Sequence, residues 1–310
     1  MKGFSFYYPR SHLSISSLVN FARCPRRAFY SSGCRLEPHE EPNYFLFGSA
    51  FHAGASPAIE GNLDLALSKF DSVWNESLRD DKRNWERGHL MLRDLHSRFL
   101  NNKGLFRLLP PPPNHLEIED SISEHEIAWA LDIDLPVPLV GRTDARAIRT
   151  DTQTNWIIEY KTSSELSARF MNGFELNPEI IGNVAAMSDL TGEPYEGGFV
   201  VGSRVSHVNT ETLIHPVYVQ KFQIEDFFSW AKFIGTQFLA CETSRDFPKD
   251  FSGCSPYPMF GQPGYPCEFR NLCHMVEDWT TLASTFKRGE DRPFILAKKT
   301  ETQKIVETLT

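Results

Sequence analysis

Two strand-like segments joined by a polar turn constrain the fold of this chain more than any other feature of its sequence. Residues 139–148 are largely apolar or small around Asp144, and residues 156–158 are apolar and run directly into Glu159. Every residue of the segment 149–155 between them is polar, which predicts that the two strands form a hairpin.

The alternation of side chains along each strand predicts which of them lie together. Glu159 and Lys161 share one face of the second strand, and Arg142, Asp144 and Arg146 share one face of the first. If the two faces coincide, two carboxylates and an ammonium group converge at the end of the hairpin. That arrangement is typical of a functional site.

The residue types at this position suit phosphodiester hydrolysis. The reaction needs stabilisation of charge on the phosphoryl oxygens and a water molecule that is nucleophilic near neutral pH. A divalent cation provides both, and it binds oxygen ligands such as the carboxylates of Asp144 and Glu159. Lys161 is suited to hold the attacking water or to neutralise the developing charge. The alternative is a turn aspartate and an ordinary Glu–Lys pair on a solvated strand face.

Five sequence blocks, in the order of one nuclease family, extend this hypothesis over most of the chain. The blocks are residues 13–17 with 24–27, residues 47–52, residues 141–146, residues 159–163 and a C-terminal cysteine cluster. On these blocks the chain resembles the PD-(D/E)XK nuclease superfamily, in its RecB-like branch, which includes CRISPR-associated RecB-like exonucleases and AddB-type nuclease domains. The resemblance implies an α/β fold, with a central mixed β-sheet flanked by helices (a restriction-endonuclease-like core), a helical N-terminal part and a cysteine-ligated C-terminal segment.

The resemblance also implies a catalytic set and a metal site. It makes Asp144, Glu159 and Lys161 the catalytic residues, and it gives the metal ligands as His52, Asp144, Glu159 and Tyr160. The implied cofactor is Mg²⁺ or Mn²⁺, and a neutral imidazole ligand suits manganese better than magnesium. For His52 the alternative is a histidine packed among helices with no role in catalysis.

The cysteines suggest a second metal centre. The chain has six, at positions 24, 34, 241, 254, 267 and 273. The set Cys24, Cys254, Cys267 and Cys273 resembles the four ligands of a [4Fe–4S] cluster, with Zn²⁺ as the alternative metal. Relatives often carry a Cys-x-x-Cys pair here, whereas position 264 is glycine, so Cys254 is the least regular member of the set. We expect the other two cysteines to be buried thiols.

The helix after the hairpin departs from the family pattern. Relatives commonly carry a glutamine near the catalytic centre and a tyrosine four residues later, and the matching positions here hold Glu179 and Asn183. Glu179 is expected either to modify the metal site or to be a solvated residue in the first turn of a helix, where the helix dipole favours an acid.

The net charge and the hydropathy of the chain limit the kinds of nucleic-acid or membrane partner that it can bind. With 32 basic and 40 acidic residues the net charge is −8, which argues against non-specific coating of DNA. A local basic groove remains compatible with this charge, and its candidate nucleic-acid-binding residues are Arg26, Arg27, Arg142 and Arg146. The resemblance implies DNA as the partner, as a single strand or at its ends. No apolar run reaches the length of a membrane span and residues 1–10 lack a signal-peptide core, so we expect a soluble cytoplasmic protein.

Sequence patterns predict four regions along the chain. They are a helical N-terminal region (residues 1–109) that contributes Cys24 and His52, the nuclease core (114–242), a cysteine-rich cluster segment (243–287) and a flexible tail (288–310). The prolines at residues 110–113 mark the clearest boundary. Helices are predicted over residues 14–30, 47–60 with a break near Pro57, 63–78, 84–100, 178–190 and 222–241.

These observations favour one function over two others. The leading hypothesis is a metal-dependent DNA exonuclease with a structural iron–sulfur cluster. The first alternative is a nucleic-acid-binding or assembly protein that keeps the nuclease fold with weak or no catalysis, and the second is a zinc-stabilised endonuclease. The presence of Asp144, Glu159 and Lys161 together favours the first hypothesis, because a nuclease fold without activity usually lacks one of them.

Overall fold

The computed structural model divides the chain into two compact units that are each discontinuous in sequence. It describes residues 11–38, 43–101, 104–116, 121, 123–207, 209–250, 267–274 and 279–289. Of these, unit 1 contains the residues within Met1–Glu41, Leu131–Val140 and Glu225–Arg292, and unit 2 those within Pro42–Ala130 and Gly141–Ile224. The predicted boundary at residues 110–113 lies inside unit 2.

The described residues form ten strands and nine α-helices. The strands are β1 (Leu13–Ser14), β2 (Leu36–Pro38), β3 (Phe106–Leu109), β4 (Ile127–Leu131), β5 (Leu139–Thr143), β6 (Ala145–Arg149), β7 (Asn155–Ser163), β8 (Tyr195–Arg204), β9 (Thr212–Tyr218) and β10 (Phe286–Arg288). The helices are α1 (Ile15–Arg23), α2 (Pro25–Ala28), α3 (Asn43–Ile59), α4 (Leu63–Val73), α5 (Trp85–Asn101), α6 (Ala168–Asn172), α7 (Pro178–Thr191), α8 (Lys221–Ser244) and α9 (Arg270–His274). None of the helices within the described ranges has the length and apolar character needed to cross a membrane.

A five-stranded mixed sheet forms the centre of unit 2, as predicted. Its order is β3-β6-β7-β8-β9, with β7 and β8 parallel and the other pairs antiparallel. Phe199 of β8 stacks on Trp156 of β7 with ring centroids 4.4 Å apart, and Phe47 and Phe51 of α3 are buried in the same core. Full burial of such a side chain contributes about 1.5–3 kcal/mol, so this core anchors the strands that carry the predicted site.

The predicted hairpin is formed by β6 and β7. Ala145 pairs with Ile158 and Ile148 with Asn155. The prediction of one strand over residues 139–148 was wrong, because the chain bends at Asp144 and leaves one sheet for another. β5 lies before the bend in a sheet ordered β1-β5-β4, and β6 follows it in the central sheet. Asp144 therefore lies between β5 and β6 and belongs to the hydrogen-bonded ladder of neither strand.

Two predicted helices differ from those observed. The helix expected over residues 14–30 is interrupted at Cys24, which is extended (φ −166°, ψ 114°) because a residue that precedes proline disfavours the helical conformation. Conversely, α3 does not break near Pro57 but continues to Ile59. Pro57 is buried in the last turn of α3, where the loss of one N–H donor is followed at once by the end of the helix.

Unit 1 has an aromatic core of its own. Phe247 contacts the rings of Phe21, Phe29 and Phe238 at centroid distances of 5.3–6.3 Å. β1 pairs in parallel with residues Leu139 and Val140, and β2 pairs with β10 in antiparallel fashion. The predicted flexible tail lies outside the described residues except for positions 288 and 289.

Candidate active site

The hairpin brings the predicted catalytic residues to one place. Asp144 lies at the bend before β6, and Glu159 and Lys161 lie on β7. The main-chain N–H of Tyr160 donates a hydrogen bond of 2.7 Å to Oδ2 of Asp144, so this carboxylate is attached directly to the neighbouring strand. Nζ of Lys161 lies 2.6 Å from Oε1 of Glu159.

Burial changes the acidity of these groups. Burial raises the pKa of Glu159 to about 7, with Asp144 adding to the increase and Lys161 opposing it. Burial also opposes the charged form of Lys161, but the carboxylates around it, Glu159 first among them, raise the pKa of Lys161 overall. Two buried carboxylates with a lysine beside one of them therefore favour a further positive charge at this position, which is what a divalent metal ion would supply.

His52 joins this group from helix α3. Its Nδ1 atom lies 3.4 Å from Oδ1 of Asp144, and its ring packs edge-on against that of Tyr160 with centroids 5.8 Å apart. Burial acts to lower the pKa of His52, but the adjacent Asp144 raises that pKa overall. Asp144 responds in the opposite sense, because burial is outweighed by His52 and the pKa of Asp144 falls. The imidazole and two carboxylates are donors that Mn²⁺ or Mg²⁺ would use together with a fourth, main-chain donor.

Tyr160 offers the site its main chain, while its ring packs against His52. Its side chain points to the opposite face of β7, where it is buried and its hydroxyl lies 3.0 Å from Oγ of Ser56. Burial raises the pKa of the Tyr160 phenol, so the hydroxyl stays neutral. If Tyr160 is a metal ligand, as predicted, the ligand atom is its carbonyl oxygen.

Two residues that the sequence analysis did not assign to the site support Glu159. The buried side chain of Asn183, on α7, places Nδ2 3.5 Å from Oε2 of Glu159 and accepts a 2.9 Å hydrogen bond from the indole N–H of Trp129. Trp129 in turn lies against Gly141, where a Cβ atom would overlap the indole ring. The sequence could have indicated that Asn183 lies near the site, because its position matches a tyrosine of the family pattern. No sequence motif indicated a role for Trp129.

Glu179 lies beside the site, in the register that the sequence suggested. Its Oε2 is 3.5 Å from Nζ of Lys161, while its side chain remains 43% exposed. It also occupies the first turn of α7, where Asn177 caps the helix by accepting a hydrogen bond from the N–H of Glu179. Glu179 therefore lies both beside the predicted catalytic lysine and in the first turn of a helix, so each of the two sequence-based interpretations describes part of its environment.

The four arginines predicted to bind nucleic acid all have protein partners. In unit 2, Arg142 lies 3.5 Å from Glu126 and Arg146 donates to the carbonyl of Pro110 at 2.6 Å. In unit 1, Arg26 donates to the carbonyl of residue 247 at 2.7 Å, and Arg27 pairs with residue Glu268 at 3.1 Å. None of them lines the cavity that contains His52 and Lys161.

That cavity has a volume of about 510 Å³ and opens beside the catalytic residues. Its walls are Tyr44, Phe45, Gly48, Ser49, His52, Arg83, Lys161, Thr162, Ser163, Ser164 and Val205. The hydroxyl groups that follow Lys161 and the guanidinium of Arg83 are hydrogen-bond donors, which suits a phosphate-bearing ligand.

A second histidine–carboxylate group lies just after the end of α3, between Glu60 and the segment that precedes β4. Nε2 of His125 is 3.1 Å from Oε1 of Glu60, and the ligand atoms of Glu60, Glu124 and His125 all lie within 4.8 Å of one another. In the described part of the chain this is the one such group at that spacing, and His52, Asp144 and Glu159 are more widely spread. The second group differs in that both of its glutamates are exposed to solvent.

The described cysteines of unit 1 differ in burial: Cys24 and Cys34 are buried, whereas Cys241, Cys267 and Cys273 are partly exposed. Cys24 is buried, and Sγ of Cys273 lies 4.0 Å from the hydroxyl of Tyr30. Burial raises the pKa of the Cys273 thiol, and burial raises that of Cys34 to about 12. Cys254 lies outside the described residues.

Comparison with known proteins identifies the family. A family model described as the PD-(D/E)XK nuclease superfamily matches residues 12–180, a segment that contains His52, Asp144, Glu159 and Lys161. Among solved structures, a candidate exonuclease from Eubacterium rectale has 12% identity and a TM-score of 0.48, covering 82% of this chain and 90% of its own. The protein SSO0001 has 14% identity and a TM-score of 0.28, covering 74% of this chain and 78% of its own. No curated protein sequence matches the chain. The family match covers more than half of the chain and includes the hairpin, and the protein therefore belongs to the PD-(D/E)XK nuclease superfamily.

Proposed function

We propose that this protein is a metal-dependent DNA exonuclease of the RecB-like type that uses Mg²⁺ or Mn²⁺. The observation that carries the proposal is the contact set around the hairpin: Lys161 beside Glu159, and His52 beside Asp144. Membership of a nuclease superfamily supports phosphodiester hydrolysis with a divalent metal. DNA as the substrate, and attack from its ends, rest on the RecB-like sequence blocks.

The electrostatics of the site support a metal-bound reaction. The carboxylates of Asp144 and Glu159 are largely buried, and burying like charges together is unfavourable without a compensating cation. A divalent ion held by them would activate water and stabilise charge on the phosphoryl oxygens. Lys161 has a raised pKa and stays protonated, so its role is to stabilise negative charge rather than to act as a base.

The cysteines support a structural [4Fe–4S] cluster in the same protein. Three of the four predicted ligands, Cys24, Cys267 and Cys273, are described, and all belong to unit 1. Cys24 adds to the raised pKa of the Cys273 thiol and Arg26 opposes it, so Cys24 and Cys273 are neighbours, but with Cys267 they do not form a group within 4.8 Å among the described residues. Thiolate ligands suit an iron–sulfur cluster or zinc, and a site that joins residue 24 to residues 267–273 would stabilise the fold directly.

End-labelled DNA tests the proposed activity. Single-stranded and blunt double-stranded oligonucleotides, labelled at either the 5′ or the 3′ end, are incubated with the metal-loaded protein in Mn²⁺, Mg²⁺ or EDTA. We expect metal-dependent release of nucleotides or short products from an end, and no cleavage of a covalently closed circle. Cleavage of the circle would show an endonuclease, and absence of all cleavage in both metals would contradict a nuclease.

One observation favours the alternative of a binding protein with weak catalysis. Glu179 adds a carboxylate beside Lys161, where it competes with the scissile phosphate for the ammonium group. DNA binding without cleavage by the wild type, together with cleavage by Glu179→Gln, would support that alternative.

A further inference from the structure

Two neighbouring aromatic side chains are exposed at the edge of the catalytic cavity. Tyr44 and Phe45, in the first turn of α3, are 50% and 58% exposed, and their ring centroids are 4.5 Å apart. Other phenylalanines of α3, such as Phe47 and Phe51, are fully buried in the core. Exposing two large rings side by side leaves apolar surface in water, which is unfavourable unless a ligand covers it.

A cation is held beside these rings by a dedicated loop. The guanidinium of Arg83 lies 6.0 Å from the centre of the Tyr44 ring. Asp80 fixes this arginine, because its carboxylate accepts hydrogen bonds from the N–H of Arg83 at 2.6 Å and from its guanidinium at 3.0 Å. Asn43, adjacent to Tyr44, donates a third bond of 2.7 Å to the same carboxylate. The loop and the start of α3 are thus tied together, with the cation next to the aromatic pair.

The aromatic pair is continuous with the catalytic residues. The cavity of about 510 Å³ has Tyr44, Phe45 and Arg83 among its walls and also contains His52 and Lys161. His52 follows Tyr44 by eight residues on the same helix, a rise of about 12 Å. That distance corresponds to about two to four nucleotides of a single strand, since successive nucleotides are about 3.4 Å apart along a duplex axis and farther apart in an extended strand.

We propose that Tyr44 and Phe45 form a stacking platform for an unpaired base of the DNA substrate, with the guanidinium of Arg83 donating a hydrogen bond to an adjacent phosphate. The proposal rests on the proposed nuclease function and specifies where that site distinguishes single-stranded from paired DNA. Aromatic side chains bind single strands by stacking on bases of any sequence. In a duplex the faces of the bases are covered by their neighbours, so an internal paired base cannot occupy the platform.

Binding measurements without catalysis test the platform. Affinity for a fluorescent oligodeoxythymidylate is measured in EDTA for the wild type and for Tyr44→Ala/Phe45→Ala. Loss of stacking should weaken binding about 5- to 100-fold. The matched control is Phe222→Ala, which removes a phenylalanine that is 61% exposed at the start of α8 and is not a wall of this cavity; it should bind like the wild type.

An abasic-site series identifies the stacked base. Oligonucleotides with one abasic position moved along the strand should bind the wild type weakly at one or two positions only, and the platform variant should lose that dependence. In catalysis, kcat/KM should fall more for the oligonucleotide than for bis(4-nitrophenyl) phosphate, which has no bases to stack.

The outcomes separate this inference from the proposed function. Equal affinities of the wild type and the double variant, or an equal loss with Phe222→Ala, would overturn the platform whether or not the protein cleaves DNA. Binding that shows the position-dependent abasic effect without any cleavage would support the platform and contradict the nuclease proposal. The double variant Tyr44→Trp/Phe45→Trp should bind like the wild type, because both positions keep an aromatic ring.

Discussion

The carboxylate site of unit 2 and the cysteine region of unit 1 are both candidate metal centres, but they are built in opposite ways. In unit 2, Asp144, Glu159 and Lys161 lie within one hairpin, and only His52 comes from a distant helix. In unit 1 the predicted ligands come from position 24 and from the segment 254–273. A hairpin fixes its side chains by local register, whereas the cysteine set requires the chain to close a very long loop.

The two regions also differ in the cost of preparing their ligands. Asp144 is ionised without a metal, because His52 lowers its pKa against the effect of burial. The Cys273 thiol has a pKa raised by burial, so binding a metal there must first remove a proton. Burial also raises the pKa of Glu159 to about 7, so only part of the carboxylate site carries its charge before a cation binds, while the cysteine region gains its charge and much of its stability from the metal itself.

The largest effect is expected at the hairpin. Asp144→Asn or Lys161→Ala should reduce kcat for DNA cleavage by at least about a hundred- to a thousandfold, because a metal ligand or the charge on the reacting phosphate is lost. Iron content should not change. The measurement is single-turnover cleavage in Mn²⁺, with circular dichroism to confirm folding.

Glu60→Gln is the matched control for this prediction. Like Asp144, Glu60 is a carboxylate partner of a histidine in unit 2. It belongs, however, to the group of Glu60, Glu124 and His125, in which both glutamates are exposed. Its replacement should leave cleavage within about twofold, a difference typical of an exposed charge. Wild-type rates for Lys161→Ala would refute the assignment of the catalytic residues.

The next effect concerns the cysteine region. Cys267→Ser or Cys273→Ser should lower the iron content and reduce Tm by at least about 5 °C, because a structural metal contributes folding free energy. Cys241→Ser, at a partly exposed position, is the control and should change neither quantity. Iron and zinc are measured on anaerobically purified protein. Colourless protein with one equivalent of zinc would show that the cysteines bind zinc and not an iron–sulfur cluster. The absence of both metals would contradict a metal centre.

A smaller effect is expected from the residue that supports Glu159. Asn183→Ala removes the acceptor of the buried Trp129 indole N–H and the amide nearest Oε2 of Glu159. Leaving such groups without partners costs about 1–3 kcal/mol, so the free energy of unfolding should fall by that amount. Urea unfolding followed by tryptophan fluorescence measures it. If stability and metal affinity both match the wild type, Asn183 has no supporting role.

The smallest effect concerns Glu179. Glu179→Gln should keep cleavage, weaken metal affinity about two- to fivefold and tighten DNA binding in EDTA, because one negative charge near Lys161 is removed from a half-exposed position. Isothermal titration with Mn²⁺ and fluorescence anisotropy with DNA measure the two changes. Superimposable titrations of the two proteins would show that Glu179 is only a favourable residue in the first turn of α7.

The sequence by itself determined the fold class, the family and the hairpin, because these depend on local alternation and on short motifs. The apolar residues before Glu159 and the polar turn at 149–155 were enough to predict β6 and β7, and the Gly-x-x-Asp motif located Asp144. Helical periodicity and capping likewise predicted α7 and α8 to within a few residues at either end.

Only the tertiary structure decided what surrounds the hairpin. The strand predicted over residues 139–148 is divided at Asp144 into β5 and β6, which no local pattern signals, because the bend follows from the pairing of β5 and β6 with different partners. The contact of Asn183 with Trp129, and the exposure of Tyr44 and Phe45, depend on packing between elements that are far apart in sequence. Alternation and periodicity specify the face on which a side chain lies, but the long-range packing of strands and helices specifies what that face meets.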